Sequence, residues 1–264
     1  MLRLLAAPLY LVAIAAGCGG GDATPDATVV PCQATADPHD EDGDGIFDAC
    51  DNCPAVANAT QLDTTERAVR AFPDAVGDAC DPRPGGSGDV LFAFETFAAD
   101  PGGWDGWTIA GDAAQASGDA TWTSARIASG DGLFVRAELA TFAMRDPAGG
   151  FAITLDDAFA RTCTLQADRL VASAGGDGGS ATMMLDSPIA SDEPVALVGW
   201  RVVTGATMRS GRLICRVVRG VSTTEVSLEL GDDLVGGEQA IRALQADVAL
   251  SSLSVYTSPG PKNP

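Results

Sequence analysis

The sequence predicts an all-β protein, with an antiparallel sandwich over residues 89–258 and a small irregular segment over residues 32–82 before it. In residues 89–258, apolar and polar side chains alternate with a period of two in many short stretches, as on half-buried strands. Gly, Asp and Pro separate these stretches at close intervals. No long stretch of this range has the apolar period of a helix. Roughly 170 residues are enough for one large β domain.

Two stretches show the alternation well. In the first, every second residue is apolar and is expected to face the core: Leu133, Val135, Ala137 and Leu139. In the second, Glu225 and Glu229 alternate with Val226, Leu228 and Leu230, which places both glutamates on the solvent side. Further strands are expected at residues 90–95, 107–110, 120–127, 151–155, 161–170, 181–185, 195–204, 212–218, 239–244 and 248–256.

The N-terminus has the composition of an export signal. Residues 1–17 hold one basic residue, Arg3, and an apolar run that is too short to span a bilayer. The small residues directly before Cys18 resemble a bacterial lipoprotein signal. That resemblance implies a lipid on Cys18, an anchor in a membrane that the chain does not cross, and the outer membrane or cell surface as its place. Ordinary cleavage near this point and a membrane-anchored start are the alternatives. Residues 18–31, rich in Gly, Asp, Ala and Thr, are expected to form a flexible tether.

Residues 40–51 have the ligand spacing of a twelve-residue calcium loop. Carboxylates occupy loop positions 1, 3, 5, 9 and 12: Asp40, Asp42, Asp44, Asp48 and Asp51. Gly45 stands at position 6, where the chain must turn sharply, and Ile46 offers a backbone carbonyl at position 7. Position 12 is Asp where an EF-hand has Glu, and prolines flank the loop, so we expect a calcium loop outside an EF-hand. The alternative is a solvated acidic turn in a linker.

The residues that follow carry a family resemblance. Asp51-Asn52-Cys53-Pro54, then Asn58, Gln61 and Asp63, and finally Gly77-Asp78-Ala79-Cys80-Asp81 resemble the thrombospondin type 3 calcium repeat over residues 37–82. In that family, bound calcium and disulfides stand in for a hydrophobic core. Residues 64–74 depart from the pattern, because alternating Asp and Gly would be expected there. Asp63, Asp78 and Asp81 are therefore weaker calcium candidates than the first loop.

The chain has seven cysteines. If Cys18 carries lipid, an even set remains, which in an exported chain suggests disulfides in any of fifteen pairings. The thrombospondin resemblance favours Cys32–Cys50 and Cys53–Cys80, which leaves Cys163–Cys215 by elimination. A zinc site is not expected, since the Cys50-x-x-Cys53 spacing has no second matching pair and the chain has a single histidine.

Both ends of the sandwich region resemble a concanavalin A-like, or laminin G-like, jelly roll. The opening resemblance rests on Phe92-x-Phe94-Glu95, Trp104-x-x-Trp107 and Trp122, and the closing one on residues 240–256. It implies a final strand that returns beside the first. Residues 83–88, rich in Gly and Pro, are expected to be a linker, and residues 259–264 a tail.

No catalytic residue is expected, and we do not expect an enzyme. The single histidine, His39, precedes the acidic loop and is predicted to be a solvated turn residue, so no base for an acyl-transfer triad is available. The Glu-x-Asp-x-x-Glu strand of jelly-roll glucanases is also missing.

Charge and aromatic content define the expected partners. A net charge of −20 opposes binding to nucleic acid and to anionic lipid. Calcium and a glycan or surface protein are compatible partners. Four tryptophans could stack on sugar rings, although each is more simply a core residue: Trp104, Trp107, Trp122 and Trp200.

We therefore expect a calcium-binding, lipid-anchored surface protein whose jelly roll serves adhesion or glycan binding. A structural envelope protein without a ligand, or a polysaccharide-acting hydrolase, are the alternatives.

Overall fold

The computed structural model describes residues 39–258 except for 69–72, 84–85, 87, 99–101, 124–131, 157–159, 176–177, 204–210 and 231–237. The expected signal (1–17), tether (18–31) and tail (259–264) lie outside the described residues, as do Cys18 and Cys32. None of the helices in the described part of the chain is long and apolar enough to cross a membrane.

Antiparallel strands make up almost all of the regular structure, so the predicted all-β sandwich is confirmed. Before the sandwich, residues 39–83 contain a 3-10 turn (Asp48–Cys50) and a single helical turn, α1 (Thr65–Ala68). The strands described after them are β1 (Val90–Glu95), β2 (Trp104–Ile109), β3 (Ala114–Thr123), β4 (Gly132–Met144), β5 (Gly150–Asp156), β6 (Arg161–Leu165), β7 (Arg169–Ser173), β8 (Ser180–Met184), β9 (Val195–Val203), β10 (Gly211–Arg219), β11 (Ser222–Leu230) and β12 (Ala240–Ser258).

The long last strand belongs to both layers of the sandwich. The C-terminal part of β12 pairs with β1 on one side and β4 on the other, and the layer continues through β9, β10 and β11. Its N-terminal part pairs with β3 and β5, and this layer continues to β2 at one end and through β6, β7 and β8 at the other. The final strand therefore returns beside the first, as the jelly-roll resemblance implied.

One apolar core fills the space between the layers. The four residues predicted to face inward on β4 are all buried: Leu133, Val135, Ala137 and Leu139. A disulfide between Cys163 on β6 and Cys215 on β10 joins the two layers through this core. Glu225 and Glu229 on β11 lie on the solvent side and pair with Arg216 and Arg212 on β10, with the predicted orientation.

A second, smaller core joins residues 39–83, hereafter the acidic segment, to the outer face of the sandwich. Phe134, Val198 and Tyr256 project from this outer face and form a buried cluster with Cys53, Val76 and Cys80 of the segment. Phe134 stands between two inward-facing residues of β4, so strand alternation directs it outward. Residues 83–88 thus connect two parts of the chain that share buried apolar surface.

Candidate metal centre

Residues 40–51, hereafter loop A, bring three of the predicted ligands together. Asp40, Asp42 and Asp44 each offer a carboxylate oxygen, and these oxygens lie within 4.8 Å of one another. The backbone amide of Gly45 donates to Asp40 Oδ2 at 2.9 Å, and Gly45 has a φ of +92°, which a residue with a Cβ rarely adopts. The glycine predicted for the sharp turn therefore allows the loop to close around its own carboxylates.

Two oxygens of loop A are buried without a hydrogen-bond partner: Asp42 Oδ2 and Asp51 Oδ2. Burial and the adjacent Asp44 carboxylate raise the pKa of Asp42 to about 6. Burial also raises the pKa of Asp51, although hydrogen bonds from Gln61 and the Cys53 amide oppose the rise. A buried carboxylate oxygen without a donor costs free energy unless a proton or a cation compensates it. Loop A therefore concentrates negative charge that a cation would stabilise.

Asp48, predicted as a ligand, supports the loop through its hydrogen bonds. Its Oδ1 accepts from the Glu41 amide at 2.9 Å, and its Oδ2 lies 2.7 Å from His39 Nδ1. His39 is partly buried rather than solvated, so the expectation for this residue was wrong. Burial alone would lower the pKa of His39, but the hydrogen bond and charge of Asp48 outweigh it and raise that pKa. The Ile46 amide donates to Asp44 Oδ1 at 2.8 Å.

Polar residues after the loop hold two of its carboxylates in place. The Asn58 amide donates to Asp44 Oδ2 at 2.7 Å, and Gln61 Nε2 donates to Asp51 Oδ1 at 2.7 Å. These contacts leave Asp51 Oδ2 directed away from solvent and without a partner. Both Asn58 and Gln61 belong to the motif that carried the thrombospondin resemblance.

The weaker candidates lie in a second carboxylate cluster, in residues 63–81, hereafter loop B. Asp63, Glu66 and Asp74 each offer an oxygen within 4.8 Å of the others. Burial, together with the neighbouring carboxyl groups of Glu66 and Asp89, raises the pKa of Asp81 to about 8. Asp78 instead accepts from the Thr64 and Thr65 amides at 2.7 and 3.0 Å.

Sequence reasoning missed two members of this cluster. Glu66 and Asp74 lie in the stretch that departs from the thrombospondin pattern, so neither was named as a ligand. The sequence feature that could have indicated these two ligands is the presence of an acidic residue near each end of residues 64–74.

The predicted Cys53–Cys80 disulfide is present and joins the two loops. The other predicted bond of this region involves Cys32, which lies outside the described residues.

A groove of about 280 Å³ lies where the acidic segment meets the sandwich. Cys80, Asp81 and Pro82 line one side, and the other is formed by Phe134, Arg136, Val198, Trp200, Arg216 and Val218. Trp200 is partly buried, whereas Trp104 and Trp107 are buried in the main core and Trp122 packs against it. Of the four tryptophans, Trp200 is the one that lines this groove.

No family model matches the sequence, and no curated protein matches it significantly. Several solved structures are similar in fold. The legume lectin-like domain from Entamoeba histolytica is 10% identical and covers 59% of this chain and 89% of that chain, with a TM-score of 0.44. The exoplasmic/lumenal domain of VIP36, in a form bound to Ca²⁺ and Man3GlcNAc, is 9% identical. The match covers 61% of this chain and 86% of that chain, with a TM-score of 0.47. The metal-free carbohydrate recognition domain of Emp46p is 9% identical. The match covers 58% of this chain and 87% of that chain, with a TM-score of 0.39. These neighbours are lectin-like β domains.

Proposed function

We propose that the protein is a calcium-binding surface protein whose jelly-roll domain binds a glycan beside the calcium segment. The observation that carries the calcium proposal is the buried, unpartnered oxygens of Asp42 and Asp51, set beside the clustered oxygens of Asp40, Asp42 and Asp44. Calcium is the cation whose protein ligands are six to eight oxygens in flexible geometry. Extracellular calcium modules bind with dissociation constants of about 0.1–1 mM, and we expect loop A to fall in this range.

The groove between segment and sandwich is the proposed glycan site. Trp200 offers a partly buried ring, and Arg136 and Arg216 offer donors for sugar hydroxyl or carboxylate groups. Because Asp81 and Pro82 form the opposite wall, order in the acidic segment determines whether the groove is complete. We therefore expect glycan binding to depend on calcium.

The proposal keeps the anchor predicted from the sequence. A lipid on Cys18 would hold the protein at the outer membrane or cell surface, with residues 18–31 as a tether. Mass spectrometry of the mature N-terminal peptide tests this, because acyl chains on Cys18 and loss of residues 1–17 are expected. An unmodified Cys18 would contradict it.

A glycan panel tests the binding proposal. The whole chain is screened against cell-wall and surface polysaccharides in 5 mM calcium chloride (~5-fold above the weaker expected constant) and then in EDTA. We expect a saturable interaction that weakens at least about tenfold in EDTA. No binding under either condition, with calcium binding intact, would favour the alternative of a structural envelope protein.

A matched pair of variants on β10 localises the site. Arg216→Gln removes an arginine that lines the groove, whereas Arg212→Gln removes an arginine on the same strand that does not line it. In the unaltered protein, both arginines form an ion pair with a glutamate of β11. Affinity for the glycan should fall in Arg216→Gln alone. An equal effect of both variants would exclude the groove.

A further inference from the structure

The groove beside the acidic segment holds two arginines in one row across the sheet. Arg136 on β4 lies opposite Val198 on β9, and Val198 lies opposite Arg216 on β10. Adjacent strands are about 4.8 Å apart, so the two arginines leave the outer face roughly 10 Å apart, with the smaller valine between them. Among the residues that line the groove, these two carry a positive charge. Any attraction that the groove offers to an anionic ligand therefore comes from them.

Each of these arginines is already paired with a glutamate. Arg216 donates to Glu225 Oε2 from Nη2 at 2.7 Å and from Nε at 3.1 Å. The Nε of Arg136 donates to Glu138 Oε1. Glu225 lies opposite Arg216 on β11, and Glu138 lies two residues after Arg136 on β4, so the strand geometry places both glutamates on the outer face beside their partners. The two pairs together have no net charge.

The ion pairs leave hydrogen-bonding groups available for a ligand. A guanidinium has five N–H donors, and in the described part of the chain the Nη1 of Arg216 and both Nη atoms of Arg136 have no hydrogen-bond partner. The second carboxylate oxygens, Glu225 Oε1 and Glu138 Oε2, accept no hydrogen bond from the described residues either. A sugar hydroxyl can both donate and accept, so it can use both kinds of group.

A carboxylate on a sugar can use only the arginine donors, and the glutamates beside them repel it. The opposite wall of the groove contributes the carboxyl group of Asp81 and no cation. The net charge of −20 also opposes the approach of an anion from solution. Trp200 lies two residues after Val198 on the same face of β9, and its ring offers a stacking surface that does not depend on ligand charge.

We infer that the groove selects neutral sugars over carboxylated ones, and that Glu138 and Glu225 are the residues that impose this selection. The inference rests on the proposed function, because it names the class of glycan for the same groove. Its physical basis is repulsion of the wrong ligand, since a uronate must either displace a glutamate from its arginine or bind beside that glutamate.

Oligosaccharides that differ only in their carboxyl groups test the selection. The whole chain, in calcium chloride, is titrated with cello-, manno- and galacto-oligosaccharides and with the same oligosaccharides oxidised to uronates at C6. The methyl esters of these uronates restore neutrality without removing the added carbon–oxygen group. We expect the neutral and the methyl-esterified sugars to bind at least about tenfold more tightly than the free acids.

Variants of the glutamates test which residues impose the selection. Glu225→Gln and Glu138→Gln each release an arginine of the groove and keep an acceptor oxygen. Each should raise the affinity for the uronates at least about fivefold and leave that for the neutral sugars within about twofold. Glu229→Gln is the matched control, because it releases Arg212, which does not line the groove, and it should change neither affinity.

Salt provides a second measurement on the same variants. The uronate affinity gained in Glu225→Gln should fall when sodium chloride is raised from about 0.1 to 1 M, because the screening length falls from about 10 to 3 Å. The affinity of the unaltered protein for neutral sugars should stay the same, since that interaction involves no charged ligand.

The outcomes separate this inference from the proposed function. A free acid that binds the unaltered protein as tightly as its methyl ester would overturn the selection and leave glycan binding by the groove intact. Uronate affinity that is unchanged in both groove variants, or raised equally in Glu229→Gln, would overturn the role of the two glutamates. Binding of none of these sugars would overturn the proposed function and this inference together. If one groove variant loses the native near-ultraviolet circular dichroism, the other provides the same comparison.

Discussion

The sandwich and the acidic segment bury side chains of opposite character. Between the sandwich layers, Leu133, Ile153 and Leu197 are almost fully buried in a continuous apolar core. In the acidic segment, the buried groups include Asp51, Glu66 and Asp81, and the apolar contribution is mainly Cys53, Val76 and Cys80 against the outer face of the sandwich. Apolar burial stabilises the sandwich without any ligand. The acidic segment instead buries carboxylates, and the free-energy cost of burying their charge is removed only by a proton or a cation.

The largest expected effect lies in the sandwich core. Leu197→Ala removes a fully buried side chain and should lower the free energy of unfolding by about 2–5 kcal/mol. Urea unfolding followed by tryptophan fluorescence measures this, in calcium and in EDTA. Leu62→Ala, which alters a leucine of the segment that is 53% exposed, is the control and should have almost no effect. A similar loss for both variants would contradict the placement of the core.

Removal of either disulfide should destabilise the region that contains it, by less than the largest loss expected from the core substitution. Replacing Cys53 and Cys80 together by Ala removes a bond across 27 residues, which should destabilise the segment by about 3 kcal/mol. Hydrogen exchange should then increase in residues 39–81 and stay unchanged in β4 to β11. The pair Cys163→Ala with Cys215→Ala, which removes the bond across 52 residues, should increase exchange in β6 and β10 instead. Increased exchange throughout the chain in both cases would argue against two separable regions.

The sandwich was largely predictable because alternation determines which face of a strand is buried. Residues 90–95 were predicted as a strand and form β1. Residues 239–244 and 248–256 were predicted as two strands and form the single strand β12. Gln245 has a positive φ of +45°, and the pairing with β3 shifts register between Ala243 and Ala246. This irregularity interrupts the period of two without ending the strand, so the pattern alone predicted two separate strands.

Loop A was predictable because each of its polar residues stands at a fixed spacing. The carboxylate cluster of loop B was not, because Glu66 comes from a helical turn, and α1 is too short to show a helical period. The contact between the segment and the sandwich was also missed. Phe134, Val198 and Tyr256 lie on the outer face of the sandwich, and only the three-dimensional structure reveals what covers them.

The pH dependence should have opposite signs in the two regions. Without calcium, the pKa of Asp42 is about 6 and that of Asp81 about 8, both above the ordinary range, mainly because of burial. The folded segment therefore binds more protons than the unfolded chain, and its stability should fall as pH rises from 5 to 8. In the sandwich, hydrogen bonds from Arg145 and Arg219 lower the pKa of Asp247 and Glu193, so their contribution is lost only as pH falls below about 4.

Hydrogen exchange in EDTA at pH 5, 6.5 and 8 measures both trends. We expect faster exchange in residues 39–81 at the higher pH, and little change in the sandwich across this range. Calcium should remove the trend in the segment, because the ion compensates the same carboxylates that the protons neutralise. A segment that becomes more protected as pH rises in EDTA would show that burial does not control these carboxyl groups.

The smallest expected effect lies at Gly45, which is position 6 of loop A. Gly45 has space for a Cβ, with no heavy atom within 4 Å of it, so Gly45→Ala meets only the strain of its positive φ. This strain should cost about 1 kcal/mol and weaken calcium binding at loop A about fivefold. Calcium titration of the whole chain measures this shift. Asp105→Asn, which removes an exposed acid on β2, is the control and should leave the affinity unchanged. An unchanged affinity in Gly45→Ala would mean that the positive φ at position 6 is not needed for loop A to close around its carboxylates.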